Sequence, residues 1–565
     1  MPFQLSPGVS VVEKDFTSIV PAVSTSAGAF AGTFQWGPIN DPVTITSENE
    51  LVSRFGKPNS TQTVYTSFFT AANYLSYANN LLVIRADGTS YKNAVFSGTA
   101  VKISNADNYT TTYAGGSASV GPFAAKWAGA IGNSLKVSLC DSTNFTGWTY
   151  EGEFDSAPGT SDYATGKGAG DDELHIIVVD EDGLFTGTAG SILEKYAYVS
   201  KASDAKKADG TNNYYKSVIN SNSRYIWWMD HPTNAADADL EWGVAASAGD
   251  YHTISAAVTA SLTGGVDDFA PSSGNLQTAY AIFDNAEVYD VSLIMMGKAT
   301  SSLATYVINN VAETRLDCVV FVSPEDNSTG DIITDGTSTP AADIVTYRDA
   351  LPSSSYAVID SGYKYQYDRY NDAYRYIPLN GDVAGLCART DYSADPWFSP
   401  AGYNRGQVKN VVKLAFTPNK TARDTLYKSG INPVVTFPGQ GTVLFGDKTA
   451  LSKPSAFDRI NVRRLFIVLE KAISTAAKYQ LFEFNDSFTR AQFKNLVEPF
   501  LRDVQGRRGI TDFRVVCDES NNTGEVIDRN EFACDIFIKP NRSINFINLT
   551  FVAARSSVSF EEIGG

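Results

Sequence analysis

Two stretches of alternating strand and helix patterns, separated by a long segment without them, constrain the fold of this chain most. In the second stretch, apolar runs at Val291–Met296, Cys318–Val322 and Tyr356–Asp360 alternate with helical patterns. Such alternation is typical of parallel sheets covered by helices. In the first stretch, the apolar run Leu81–Arg85 follows a helical pattern at residues 64–78 and needs partner strands from elsewhere. We therefore predict one α/β sheet built from both stretches.

The segment between the two stretches differs in composition and is predicted to be an insertion. Ser, Thr, Asn, Gly and Ala are dense over residues 89–121, and Gly264-Gly265 marks the far end of the segment. We predict an α+β multidomain protein with a discontinuous α/β core at residues 21–89 and 266–450. Residues 90–265 would form an inserted β-rich outer region of one or two modules.

The pattern after residue 450 predicts a separate C-terminal domain, residues 451–540, made of two helices and a β-hairpin. Apolar residues recur every three to five positions between Ile460 and Ala476, as in a helix with one buried face. A second helix is predicted to begin at Thr489, whose hydroxyl would accept from the backbone N–H of Gln492. The two predicted strands are Phe513–Cys517 and Phe532–Ile538.

Both chain ends carry extended apolar patterns without a local partner, and we assign residues 1–20 and 541–565 to terminal arms. A third strand-like run, Ile544–Val552, lies in the second arm. Each arm either pairs or frays within its own subunit, or adds a strand to the sheet edge of a neighbouring copy. The predicted inter-subunit contacts are Phe3, Leu5, Val9, Val11, Ile544, Phe546, Ile547, Leu549 and Phe551.

The net charge of −17 is unevenly distributed. Residues 453–565 carry 16 Lys and Arg against 15 Asp and Glu, so the acidity belongs to residues 1–452. Direct binding of nucleic acid needs a basic face that releases counterions, and this composition argues against it. The near-neutral end is expected to face a different surface from the acidic bulk, and compositional drift is the alternative.

Cysteine spacing and hydropathy indicate the compartment. The five cysteines are widely spaced and include no C-x-x-C pair, which suggests reduced thiols in a protein that folds in a cytoplasm. No run approaches the roughly 18 apolar residues of a membrane-spanning helix, and the N-terminus lacks a signal-peptide pattern. We therefore expect no membrane insertion.

The sequence shows no pattern of catalytic residues. It contains neither the P-loop pattern G-x-x-x-x-G-K-[ST] nor the G-x-S-x-G elbow, and its three histidines lie in no zinc-binding array. Asp267-Asp268 is the nearest approach to a carboxylate pair, but adjacent acids beside glycines are typical of a solvated turn. We predict no catalytic, cofactor-binding or metal-binding residue, no cofactor and no enzymatic activity.

A tyrosine-rich segment, Tyr363–Tyr376, admits two interpretations. Alternating tyrosines on a strand could form a stacking platform for sugars or single-stranded nucleic acid. They could equally pack against neighbouring elements or a neighbouring subunit. The acidic composition disfavours nucleic acid, and we favour packing.

Several short motifs follow one another in an order that suggests a known family. They are Asp180–Leu193 (DEDGLFTGTAGSIL), Glu194–Tyr196 (EKY), Gly210–Tyr215 (GTNNYY), Ala384–Asp391 (AGLCARTD) followed by Trp397, Pro400 and Ala401, Asn461–Leu465 (NVRRL), Phe482–Asn485 (FEFN), Phe500–Gly509 and Val515–Asp518 (VVCD). Together they resemble the contractile tail sheath proteins of bacteriophages, and most of all those of T4-type phages.

The resemblance implies a structural subunit that forms stacked hexameric rings around a rigid tail tube and contracts to drive the tube through the host envelope. Its partners would be further copies of itself, the tail tube protein, and the baseplate and tail terminator proteins. The C-terminal domain would face the tube, with Arg463, Arg464, Arg507 and Arg508 as candidate contacts; a solvated helix face is the alternative for each. The expected location is the virion, after assembly in the host cytoplasm.

Two alternatives follow from the sequence. One is the sheath of a phage-derived contractile injection system that is not a virion. The other is an acidic multidomain glycan-binding or hydrolytic enzyme.

Overall fold

The computed structural model describes residues 24–232, 239–325, 339–545 and 547–549. The chain is a mixed α/β multidomain protein with several separate sheets, as predicted. Its described residues form two compact units. The larger unit lies within residues 23–396 and 400–460, and the smaller one, here called the C-terminal unit, comprises residues 397–399 and those from 461 onward.

The centre of the larger unit is a seven-stranded sheet drawn from both sides of the insertion. Strand Gly28–Gly32 pairs in parallel with Leu81–Arg85 on one side and with Leu293–Lys298 on the other. Only Val43–Ile45, at one edge, runs antiparallel to its neighbour. In spatial order the strands are Ile431–Asn432, Ala357–Asp360, Val319–Ser323, Leu293–Lys298, Gly28–Gly32, Leu81–Arg85 and Val43–Ile45.

Helices pack closely on this sheet and on one another because glycines lie at the contacts. A Cβ atom at Gly28 would lie 2.6 Å from the Tyr74 ring, and one at Gly381 would lie 2.4 Å from the Thr70 carbonyl oxygen, so only glycine fits at either position. The helices of this layer are Glu48–Phe55, Gln62–Leu75, Ser273–Ala281, Ser301–Val307, Glu313–Arg315, Pro340–Asp349, Asn380–Ser393 and Lys420–Lys428. Two small sheets accompany them. One has three strands, in the order Ala373–Pro378, Tyr363–Asp368, Lys413–Leu414, and the other pairs Val434–Phe437 with Gly441–Leu444.

A buried polar network closes the carboxyl ends of the central parallel strands. Asn380 Nδ2 donates to the Gly297 carbonyl (2.7 Å) and to Ser323 Oγ (2.9 Å), so that it bridges two strand ends. The Ser323 hydroxyl donates to Asp360 Oδ2 at 2.7 Å, and Asp360 Oδ1 accepts from the Gly362 N–H at 2.8 Å. Parallel α/β folds commonly hold ligands at this edge. Here the chain's own side chains occupy it.

The insertion leaves and rejoins the core at one place and belongs to the same compact unit. The Lys92 N–H donates to the Val266 carbonyl at 3.1 Å, which ties the two ends of the insertion together. Its main sheet is antiparallel, in the order Val258–Ser261, Leu135–Cys140, Glu173–Asp180, Ser191–Ser200. The other elements are helices Ala106–Thr112, Asp162–Lys167 and Tyr215–Asn222, and strand pairs Phe123–Ala125 with Ile226–Trp228 and Ala169–Gly170 with Gly249–Asp250.

The C-terminal unit contains helices Ile460–Ala477 and Ser487–Gly506, strands Ile510–Val516 and Asp535–Pro540, and a short helix Gly524–Asp528. Our prediction that Thr489 caps the second helix was wrong. Asp486 is the cap, because its carboxylate, three residues earlier, accepts the Thr489 N–H at 2.8 Å. No helix among the described residues is both long and apolar enough to cross a membrane.

The buried carboxyl group of Asp360 yields a prediction on pH and stability. Burial raises the pKa of Asp360 to about 8, against roughly 4 for an unfolded aspartate. Between these values the unfolded chain loses a proton that the folded chain keeps, so the free energy of unfolding falls as pH rises from about 4 to about 8. Asp360→Asn has no carboxyl group at this position, so its stability lacks this loss with pH. The melting temperature of the variant minus that of wild type should therefore be several degrees higher at pH 8 than at pH 5.

Calorimetry at the two pH values provides the measurement. Asp349→Asn is the matched control for the loss of one carboxyl group, because Asp349 is exposed. A constant difference for Asp360→Asn would contradict the assignment of a buried, neutral carboxyl group.

Candidate assembly interface

Among the described residues, the two-stranded sheet of the C-terminal unit has two open outer edges. Strands Ile510–Val516 and Asp535–Pro540 pair antiparallel, and no third strand joins them in the part of the chain that the structure describes. Every second N–H and C=O group of each strand therefore faces outward without a strand partner. Because two-stranded sheets are marginally stable alone, this sheet is a ready acceptor for further strands.

The two faces of this hairpin differ, and the difference would set the register of an added strand. Val515 is buried and pairs with the half-buried Ile536, and helix Ser487–Gly506 packs against the strand that carries Val515. On the opposite face, Phe537 is 59 % exposed, and Lys539 Nζ lies 3.6 Å from Asp512 Oδ2. If an added strand shifted by one residue, its side chains would move to the opposite face of the sheet. The difference between the two faces therefore specifies one register for the added strand.

Asn541 holds the chain where it leaves the hairpin. Its backbone N–H donates to the Gly509 carbonyl at 3.1 Å, and its Nδ2 donates to the Arg508 carbonyl at 2.7 Å. Its Oδ1 accepts from the Thr511 hydroxyl at 2.7 Å. The C-terminal arm therefore starts from a point fixed to the beginning of the first strand. Sequence reasoning missed Asn541, although an asparagine directly after a strand-ending proline was a visible signal.

The third predicted run, Ile544–Val552, forms no strand in its described residues. The run has no partner strand among its described residues, 544, 545 and 547–549, and its pairing with a neighbouring copy stays a prediction. Ile544, Ile547 and Leu549 are 83 %, 76 % and 73 % exposed. The other predicted arm contacts, Phe3, Leu5, Val9, Val11, Phe546 and Phe551, lie outside the described residues.

The four candidate arginines separate into two pairs. Arg463 and Arg464 are only 6 % and 4 % exposed, so neither presents its guanidinium to a partner in this structure. Arg507 and Arg508 are exposed and adjacent at the end of helix Ser487–Gly506. The Arg507 guanidinium lies 3.6 Å from Asp503 and 5.1 Å from the centre of the Trp397 ring, which leaves about half of the side chain exposed.

The remaining sites that the sequence raised have structural partners. Tyr365 stacks on Tyr374 with 5.4 Å between ring centres, and Lys413 Nζ lies 5.0 Å above the Tyr365 ring. Asp267 and Asp268 accept backbone N–H groups of Ala130 and Ser90, each at 2.8 Å, where the insertion meets the core. Within the described ranges, no three His, Cys, Asp or Glu side chains are grouped as metal ligands.

Family models match three parts of the chain. They are the tail sheath protein Gp18 domain III N-terminal region at residues 28–86, the phage tail sheath protein central domain at residues 273–450, and the phage tail sheath C-terminal domain at residues 452–554. The tail sheath protein of Vibrio phage KVP40 is 35 % identical to this chain over 99 % of the chain and 100 % of its own length.

This chain belongs to the phage tail sheath protein family. The predicted resemblance is thereby confirmed. The tail sheath protein of Enterobacteria phage T4 is 33 % identical over 99 % of each chain. Among solved structures, a sheath tail protein of Listeria innocua shares the fold, with a TM-score of 0.54, 13 % identity, and coverage of 92 % of this chain and 96 % of its own.

Proposed function

We propose that this sheath protein is the structural subunit of a contractile tail, which polymerises as stacked hexameric rings around a tail tube and shortens to drive the tube through the host envelope. The proposal is carried by a hairpin whose two edges have no strand partner in the described part of the chain, together with the match of this chain to tail sheath proteins over its full length. The role is structural, not enzymatic.

Strand exchange between copies would provide joints that survive contraction. The N-terminal and C-terminal arms would each add a strand to the open hairpin edges of neighbouring subunits, through the contacts predicted above. Each main-chain hydrogen bond contributes about 1 kcal/mol net, so one strand contributes several kcal/mol. Such ladders hold while the compact units change position around them.

Contraction needs no nucleotide in this account. The extended lattice would be the less stable arrangement, and each subunit would gain interface in the shorter one. A difference of a few kcal/mol per subunit, summed over many copies, makes the change irreversible.

The exposed pair Arg507 and Arg508 remains our proposed tube contact. Arg463 and Arg464 are left out of it because they are buried. The baseplate and tail terminator proteins would bind the ends of the sheath. The subunit would assemble in the host cytoplasm and reside in the virion, and the full-length phage relatives favour this over a non-virion injection system.

Removal of residues 1–12 tests the N-terminal arm. The truncated protein should stay folded and soluble, whereas the number of ordered cylinders seen by negative-stain microscopy should fall more than about tenfold, since each joint contributes several kcal/mol. The full-length variant Gln4→Ala/Ser6→Ala, which keeps the apolar positions, is the control and should polymerise normally. Normal cylinders from the truncated protein would refute the role of this arm.

Charge reversal tests the tube contact. Arg507→Glu/Arg508→Glu should reduce co-assembly with tail tubes by about tenfold or more, because each charge pair across an interface contributes on the order of 1 kcal/mol. Polymerisation of the sheath protein alone should change little. Lys206→Glu/Lys207→Glu is the control, since it reverses two adjacent exposed cations in the insertion. Equal loss of both kinds of assembly would remove the tube assignment.

A further inference from the structure

The loop between the two long helices of the C-terminal unit exposes a cluster of large apolar side chains, here called the apolar loop. Tyr479, Leu481, Phe482, Phe484 and Phe488 are 75 %, 63 %, 104 %, 84 % and 74 % exposed. No other ten-residue stretch of the described chain exposes as many. Apolar patches of this kind mark interaction surfaces. Sequence analysis named Phe482–Asn485 only as a family motif and did not predict an exposed apolar surface, although four aromatic residues lie within ten positions.

Hydrogen bonds hold Asn485, at the end of the apolar loop, against its neighbours. Asn485 Nδ2 donates to the Glu531 carbonyl at 2.8 Å, and Asn485 Oδ1 accepts from the Arg490 guanidinium at 2.9 Å. Phe482 has a φ of +72°, a left-handed conformation that bulky residues rarely adopt. Strained residues of this kind occur at binding surfaces, where the surrounding structure holds them. Anchoring at Asn485 reduces the conformational entropy that the loop would lose on binding.

The size of the apolar loop suits an assembly contact. Aromatic side chains bury about 150–250 Å² each, so the four aromatic residues of the apolar loop could bury on the order of 700 Å². Each partner of a stable interface buries roughly 800 Å². The loop could therefore supply most of one side of such an interface.

The position of the apolar loop identifies the partner. The loop adjoins the hairpin connection through Asn485 and Glu531, so a strand arriving at the hairpin edge would come close to it. Helix Ser487–Gly506 has 20 residues, and at 1.5 Å per residue about 30 Å separate the loop from Arg507 and Arg508. We propose that the apolar loop docks on a second copy of this chain, not on the tail tube. The inference rests on the proposed sheath function.

Loss of two apolar side chains tests the inference. In Phe482→Asn/Phe484→Ser, asparagine tolerates the left-handed conformation at position 482, and both side chains are exposed, so the monomer should melt at the wild-type temperature. The critical concentration for polymerisation of the sheath protein alone should rise about tenfold or more, measured by light scattering. Val288→Ser/Val412→Ser is the matched control, because both valines are exposed elsewhere, at 62 % and 60 %. It should behave as wild type.

Site-specific crosslinking from position 484 identifies the partner directly. A photoreactive phenylalanine analogue at this position, in full tails, should crosslink two copies of this chain. Crosslinks to another protein, or loss of tube co-assembly with normal self-polymerisation, would overturn the proposal. If the loop variant polymerised as wild type does, the loop proposal would be overturned but the proposed sheath function would stand. If the wild-type protein itself never polymerised, the sheath function would be refuted.

Discussion

Unpaired main-chain groups at the edges of one small sheet are the constraint on which the rest of this structure depends. The hairpin strands Ile510–Val516 and Asp535–Pro540 pair only with each other within the described part of the chain, so their outer edges lack a strand partner there. Natural proteins rarely leave such edges open, since an open edge pairs with any compatible strand. In a subunit that polymerises, an open sheet edge can bind a strand from a neighbouring copy.

The edges of the core sheet, in contrast, are short. It ends in two short strands, Val43–Ile45 and Ile431–Asn432, and short edges offer little template for further pairing. Asn380, Ser323 and Asp360 close the carboxyl ends of its central strands with internal hydrogen bonds. The core is thereby suited to act as a rigid body, and we propose that the hairpin of the C-terminal unit provides the edges for other copies.

The predictions from sequence succeeded where periodicity and burial agree. The parallel strands were recognisable because buried β-branched runs such as Val319–Ser323 have no polar face, and the two C-terminal helices because their apolar stripes are regular. The helix cap at Asp486 and the hydrogen bonds of Asn541 were missed. Several nearby polar residues could make the same hydrogen bonds, and only the three-dimensional path of the backbone decides which residue makes them. The burial of Arg463 and Arg464 likewise depends on three-dimensional packing that the helical pattern alone does not specify.

Both arms are proposed to complete the sheets of adjacent subunits, and a cryo-EM map of the assembled sheath tests this central claim most directly. The chain should be traced from residues 1–20 and from residues 541–565 into the hairpins of neighbouring copies, so that each Ile510–Val516/Asp535–Pro540 sheet gains strands from other subunits. A map in which both arms fold back onto their own subunit, with the hairpin edges still open, would contradict the account.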